Sequence, residues 1–358
     1  MRKQYIDNIR WMTVMTVVIY HVIYMFNGVQ LFGVIGPFHE NQIQDAFQYL
    51  VYPWFMSLLF VVSGMSAKFY LNRHTTKEFV KDKTRKLLVP STIGLFAFHW
   101  ILGYYNMAIG GGLAAMNEIP LPILYVIMAL SGTGVLWYIQ MLWIFSILLL
   151  FIIKIEKNRL LNLGNRTPVW LLLSFTIIYY VMAQFGNLPI TVYRFGVYGF
   201  CFFVGYFIFS HDEVINRLSK FWLYLDIAAI VLGISYTIRY FGFNYAASPV
   251  LSNLHGCVFA WITILGIFAT MNQYGNFSNT ITKFMKKESW GIYIFHYLPL
   301  AIVAYYLRLY VPNMTPFIVY ILCFIASFVG AILLNEIICR IPILCYCVLG
   351  IKKEKQHV

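Results

Sequence analysis

Acidic side chains are scarce in this sequence: 13 Asp and Glu in 358 residues, with all charged residues together at only 11%. Soluble globular domains carry about a quarter charged residues, so a chain whose whole surface faces water is excluded. The six cysteines (Cys201, Cys257, Cys323, Cys339, Cys345 and Cys347) form no C-x-x-C pair and fall in or beside apolar runs. That pattern suits free thiols acting as small hydrophobes, and it matches neither zinc spacing nor a secreted disulfide framework. No H-x-x-x-H or H-E-x-x-H spacing occurs either, so no metal site is expected. Internal repeats, low-complexity tracts and long linkers are missing as well, which predicts one domain over residues 1–358.

What is present is apolar surface: 61% hydrophobic residues, 31 Phe and 27 Tyr, with a mean hydropathy of +0.72. This is the composition of an integral membrane protein. A spanning helix needs about 20 mostly apolar residues. By that rule about ten spans are predicted, at roughly 9–30, 46–66, 88–108, 133–153, 168–185, 192–210, 221–240, 250–270, 289–308 and 316–338. The fold class expected is an all-α membrane bundle. The segment LPILYVIMALSG, residues 121–132, is too short to cross and reads as a re-entrant or interfacial helix on the outer side. The first run follows MRKQ as a signal peptide would. It is too long for one, carries Asp7, Arg10 and His21, and lacks an A-x-A site, so it reads as an uncleaved span.

The net charge of +13 would suggest a nucleic-acid partner in a soluble chain. Threading the predicted spans puts 23 of the 26 Lys and Arg on one face, leaving Arg194, Arg239 and Arg308 on the other. The positive-inside rule then predicts both termini cytoplasmic, and the location expected for such a multi-pass chain is the plasma membrane. It also accounts for the charge without nucleic acid.

The stretch YIDNIRWMTVMTVVIYHVIYMF, residues 5–26, carries an imidazole in the middle of an apolar run. At about 100° per residue, eleven steps bring His21 to within about 20° of Arg10, and Asp7 falls near the same stripe. At 1.5 Å per residue His21 lies about 16 Å beyond Arg10, near mid-membrane if Arg10 marks the boundary. Polar groups at that depth face a cavity or a partner. A lone intramembrane His can simply bond a neighbouring helix, but the Arg and Asp on the same stripe favour function.

These residues resemble the first helix of the acyltransferase-3 family, integral-membrane enzymes that move acyl groups, commonly acetyl or succinyl, onto cell-envelope glycans and other acceptors. The family signature is an Arg and a His separated by ten residues in the first span, matched by Arg10 and His21. LLFVVSGM (58–65) resembles its F-x-x-S-G-F pattern, with Met65 in place of the aromatic. RKLLVP (85–90) resembles its R-x-x-R-L-x-x-P element, with Lys83 and Lys86 altering the basic spacing. LWYIQMLW (136–143) and SWGIYIFHYLPL (289–300) resemble its L-W-F-L and S-x-x-I-Y-x-x-H elements.

The resemblance implies an O-acyltransferase with acyl-coenzyme A, acetyl or succinyl, as donor and a hydroxyl of an envelope glycan or similar acceptor as its partner. An imidazole suits removal of the hydroxyl proton, which makes His21 the expected general base. Arg10 is expected to bind the donor diphosphate through its planar fork of donors, with Asp7 orienting it. The competing readings are a headgroup anchor for Arg10 and a helix-start charge for Asp7. Arg85 is expected at the donor because it matches the family motif. The other basic residues of 67–87 serve topology and lipid contact, with the donor's 3′-phosphoadenosine a further candidate partner. His296 is set against the donor thioester or in a structural hydrogen bond, and Ser63 against the donor or in close helix packing. Trp137 and Tyr138 are candidates for substrate binding or for an interfacial belt, and Arg194 for an acceptor contact near the outer boundary. The rival classes are a transporter or flippase of a glycan or lipid-linked substrate and a non-catalytic scaffold. Against the first, no Gly- or Pro-interrupted pairing of two halves is seen. The second leaves the Arg–His stripe unexplained.

Overall fold

A computed structural model describes residues 3–29, 33–40, 42–113, 116, 118–186 and 192–352; Arg2, Lys353 and Lys355, counted in the charge bias, lie outside them. The described residues are helical, with no strand among them. In order, the helices are α1 (Gln4–Tyr24), α2 (Ala46–Val51), α3 (Phe55–Leu71), α4 (Thr76–Lys83), α5 (Val89–Gly94) and α6 (Trp100–Ile109). There follow α7 (Leu121–Ser131), α8 (Trp137–Glu156), α9 (Arg159–Asn165), α10 (Val169–Gln184), α11 (Phe195–Val204), α12 (Asp212–Ser219) and α13 (Trp222–Tyr240). The last are α14 (Ser248–Leu251), α15 (Leu254–Tyr274), α16 (Thr280–Phe295), α17 (Tyr297–Tyr310), α18 (Pro316–Arg340) and α19 (Pro342–Leu349). Three π-helical segments, Thr84–Leu88, Leu95–His99 and Gly205–Phe209, continue neighbouring α-helices.

Six continuous helical stretches among the described residues are long and apolar enough to cross a membrane: Ile43–Leu71, Thr76–Ile109, Gly134–Glu156, Trp222–Tyr240, Leu254–Tyr274 and Pro316–Arg340. A seventh is the pair α16 and α17, bent by 54°. The remaining predicted spans differ for physical reasons. Asp7, Asn8, Arg10, Thr13, Thr16 and His21 dilute the hydropathy of α1. Helix α10 has 16 residues, about 24 Å at 1.5 Å per residue against roughly 30 Å of hydrocarbon. In α11, ten α-helical residues are followed by five in a π-helix. The apolar 121–132 segment forms α7, whose 11 residues are likewise below spanning length.

The chain divides into two compact units, each drawn from three stretches of sequence. The first comprises Met1–Thr16, Ala46–Val80 and Ile144–Lys286. Small residues set its closest helix contacts: a Cβ on Gly64 of α3 would lie 1.9 Å from the Phe202 carbonyl of α11, and one on Gly205 would lie 2.1 Å from the Val61 carbonyl. This is the close approach that Gly permits between membrane helices. Asn8 anchors the first turns of α1 by donating to the Gly275 and Phe277 carbonyls, 2.7 and 3.0 Å away, beyond the end of α15.

The second unit comprises Val17–Asp45, Lys81–Trp143 and Lys287–Val358. Here α6 and α7 approach through Gly103, whose Cβ would lie 1.7 Å from the Met128 carbonyl, and Gly132, 2.0 Å from that of His99. The break between α16 and α17 falls at His296. Pro299, three residues on, has no N–H to return to the Phe295 carbonyl and its ring crowds that group, which is sufficient to bend the pair.

Candidate active site

The bend presents His296 to α1. His296 is fully buried, and its Nδ1 lies 3.0 Å from the carbonyl oxygens of both Ile292 and Tyr293. A carbonyl only accepts, so Nδ1 carries the proton and Nε2 is left with a lone pair. That Nε2 lies 3.0 Å from His21 Nδ1. His21 Nδ1 is also 2.9 Å from the Val17 carbonyl, so it too is the protonated nitrogen, shared between Val17 and His296. The tautomer of both rings follows from the hydrogen-bond network. His21 is held with Nδ1–H bound on two sides and Nε2 as its free lone pair.

Aromatic rings frame the imidazole. Tyr20 and Tyr297 stand edge-on to His21 at ring separations of 5.1 and 5.0 Å, and Tyr24 at 6.2 Å. His21 keeps partial exposure while His296 keeps none. Tyr138 stands farther back, behind His296: its ring meets Tyr293 at 5.4 Å, and Tyr293 meets His296 at 6.3 Å. Trp137 begins α8 beside it. His99, buried at 2% exposure, stacks at 6.4 Å on Phe295, the residue before His296.

Arg10 sits in the first unit. Its guanidinium donates to Ser66 Oγ at 2.6 Å and lies 3.8 Å from Asp7, which also faces Lys286 at 4.0 Å. Asp7 is buried and Arg10 is partly open, so the carboxylate orients two cations while one edge of the guanidinium stays available. Ser63 lies on α3 one turn before Ser66, next to the Gly64 contact. Arg194 is buried in this same unit against Ser252 Oγ at 3.4 Å and the Tyr198 ring at 6.0 Å.

Arg85 belongs to the second unit, in the π-helical segment before α5, where it pairs with Asp82 at 2.8 Å. The structure thus brings His21, His296, Tyr138 and Trp137 into one unit and Arg10, Asp7, Ser63 and Arg194 into the other. Ser66 and the direct His21–His296 contact escaped sequence reasoning. The single hint was Pro299 three residues after His296, which marks a break and hence a side chain redirected from the helix face.

Fold and site together define a multi-pass membrane protein with a paired imidazole at a helix break. The chain belongs to the acyltransferase-3 family: the family's acyltransferase-domain model matches residues 3–336, taking in Arg10, His21, Arg85 and His296. No curated relative and no solved structure matches it. The match supports a membrane acyltransferase.

Proposed function

We propose that the protein transfers an acyl group, acetyl or succinyl, from cytoplasmic acyl-coenzyme A to a hydroxyl of a cell-envelope glycan or similar acceptor. His21 is the general base. The observation that carries this reading is the free Nε2 of His21, on an accessible ring whose other nitrogen is bound at 2.9 and 3.0 Å. In the reaction Nε2 takes the proton of the acceptor hydroxyl as its oxygen attacks the thioester carbonyl. The C–S bond breaks, the thiolate leaves, and the imidazolium returns the proton to it, giving an ester and free coenzyme A. His296 Nε2 accepts the His21 Nδ1–H throughout and so holds the ring in the tautomer and orientation that leave Nε2 as the base.

Arg10, oriented by Asp7, holds the donor diphosphate. Arg10 and His21 are both carried by α1. Tyr138, linked to His296 through Tyr293, and its neighbour Trp137 serve the substrate. Arg85 at Asp82, Ser63 at the Gly64 packing contact and the buried Arg194 take supporting places, because each is engaged within the fold. We read residues 1–358 as one membrane domain in the plasma membrane with cytoplasmic termini. The seven spanning stretches, with α1, α10 and α11 with its π-helical extension, make ten crossings, and α7 is the re-entrant or interfacial helix.

The test is protein in lipid nanodiscs, labelled acetyl- and succinyl-coenzyme A, candidate acceptors, and wild type beside His21→Ala. Transfer by the wild type, lost by at least about 100-fold in the variant with its elution profile unchanged, is expected. Full transfer by His21→Ala would remove the imidazole from the chemistry.

A further inference from the structure

Attack of an acceptor oxygen on a thioester carbonyl puts negative charge on the carbonyl oxygen, and catalysis gains most when a donor is already aimed at it. His21 cannot be that donor, because its Nδ1–H is bound to Val17 and His296 and its Nε2 receives the acceptor proton. The second unit holds another polar group against the same ring. Tyr297, the first residue of α17, stands edge-on to His21 with ring centroids 5.0 Å apart and planes at 73°. It is only 7% exposed. Its hydroxyl has no hydrogen-bond partner among the described residues, yet the oxygen is not sealed as both His99 nitrogens are. A buried phenol ordinarily donates to something, and this one has its O–H free beside the proposed base. Tyr20 and Tyr24, the other two phenols next to His21, stack on each other at 5.8 Å.

The turn that carries Tyr297 is held on both sides. Ser327 of α18 donates to the His296 carbonyl at 2.9 Å, immediately before Tyr297. Pro299, two residues after it, packs on Gly330, where an added Cβ would lie 2.6 Å from the proline ring. The phenol is thus placed before the reaction begins, which is the condition for a donor to act without reorganisation. The distances agree as well. A base takes its proton across about 3 Å, and the attacked carbonyl lies roughly 3 Å beyond the hydroxyl oxygen. The new charge therefore forms within about 6 Å of His21, on the scale of the 5.0 Å between the two rings.

We propose that Tyr297 is a catalytic residue of the transfer, donating its O–H to the thioester carbonyl oxygen as charge develops there. The inference rests on the general-base reading of His21. As the acceptor oxygen bonds to the carbonyl carbon, the C=O π pair moves onto the carbonyl oxygen and is held by the phenol, which keeps its own proton. The pair returns to C=O as the C–S bond breaks. The thiolate leaves with the electrons of that bond and takes the proton from the His21 imidazolium, so Tyr297 ends the cycle unchanged.

Full-length protein in nanodiscs is assayed with labelled acetyl- or succinyl-coenzyme A, whichever the wild type transfers, and a screened acceptor that it acylates. Tyr297→Phe keeps the ring and loses only the hydroxyl. It should lower kcat by about 10²-fold or more, with the KM for the donor within about twofold of wild type and the melting temperature unchanged. In a second variant 3-fluorotyrosine at position 297 keeps both ring and hydroxyl but ionises at lower pH. An ionised phenol cannot donate, so kcat falls as pH rises through that ionisation, and the fluorine should move the fall to lower pH. Wild-type kcat in Tyr297→Phe, a loss carried entirely by KM, or an alkaline profile that the fluorine leaves in place would each overturn the assignment while leaving His21 as the base. A wild type that acylates no acceptor would sink the acyltransferase reading, and this inference with it.

Discussion

His21 owes its proposed basicity to what binds its other nitrogen. With Nδ1–H shared between the Val17 carbonyl and His296 Nε2, one ring orientation and one tautomer are selected. In the proposed reaction His296 acts through His21, as a positioning residue. His296→Ala should therefore lower kcat by roughly 10²-fold and leave the KM for the acyl donor near its wild-type value. His296→Gln, whose amide oxygen can accept the same N–H, should recover part of the loss. A residue needed only for packing would show no such preference for Gln, so equal activities of the two variants, measured at matched thermal stability, would refute the assignment. Asp7, Arg10 and His21 were legible in the sequence because an imidazole and an ion pair on one stripe of an apolar helix are conspicuous. The partner was not, since 275 residues separate His296 from His21 and no periodicity reports which side chain a bend will redirect.

At the scale of elements, small residues decide where helices touch. The Phe202 carbonyl of α11 occupies the space a side chain at position 64 would need, with 1.9 Å to an added Cβ. That atom is backbone and cannot rotate away. Gly64→Ala should thus force α3 and α11 apart at a cost of about 3 kcal/mol, seen as a clear fall in the melting temperature of the detergent-solubilised protein. An unchanged midpoint would mean the helices do not meet at this residue. The S-G dipeptide announced the contact without naming its partner. Long apolar elements were equally legible: α8, α13, α15 and α18 fall close to their predicted ranges. The π-helical segments, the 54° bend and the shortness of α10 and α11 were not, because hydropathy counts residues and is blind to how the backbone winds.

For the whole molecule the decisive quantity is parity. An even number of crossings returns the chain to the side on which it began, and an odd number does not. The seven stretches that meet the length and apolarity requirement would by themselves leave the chain's ends on opposite faces. Adding α1, α10 and α11 makes the count even. The distribution of charge argues for an even count: threading all ten crossings puts 23 of 26 basic residues on one face, and translocating a basic segment such as 67–87 is strongly disfavoured. Reporter fusions read this directly. A green fluorescent protein joined after Val358 should fluoresce, and alkaline phosphatase at the same point should be inactive, while alkaline phosphatase inserted at Gly111, in the loop before α7, should be active. Active phosphatase at the end of the chain would make the number of crossings odd. It would then remove at least one of α1, α10 and α11 from the spanning set. Loss of α1 would be the most damaging outcome, since that helix carries both Arg10 and His21 and the proposed meeting of donor and acceptor depends on its depth.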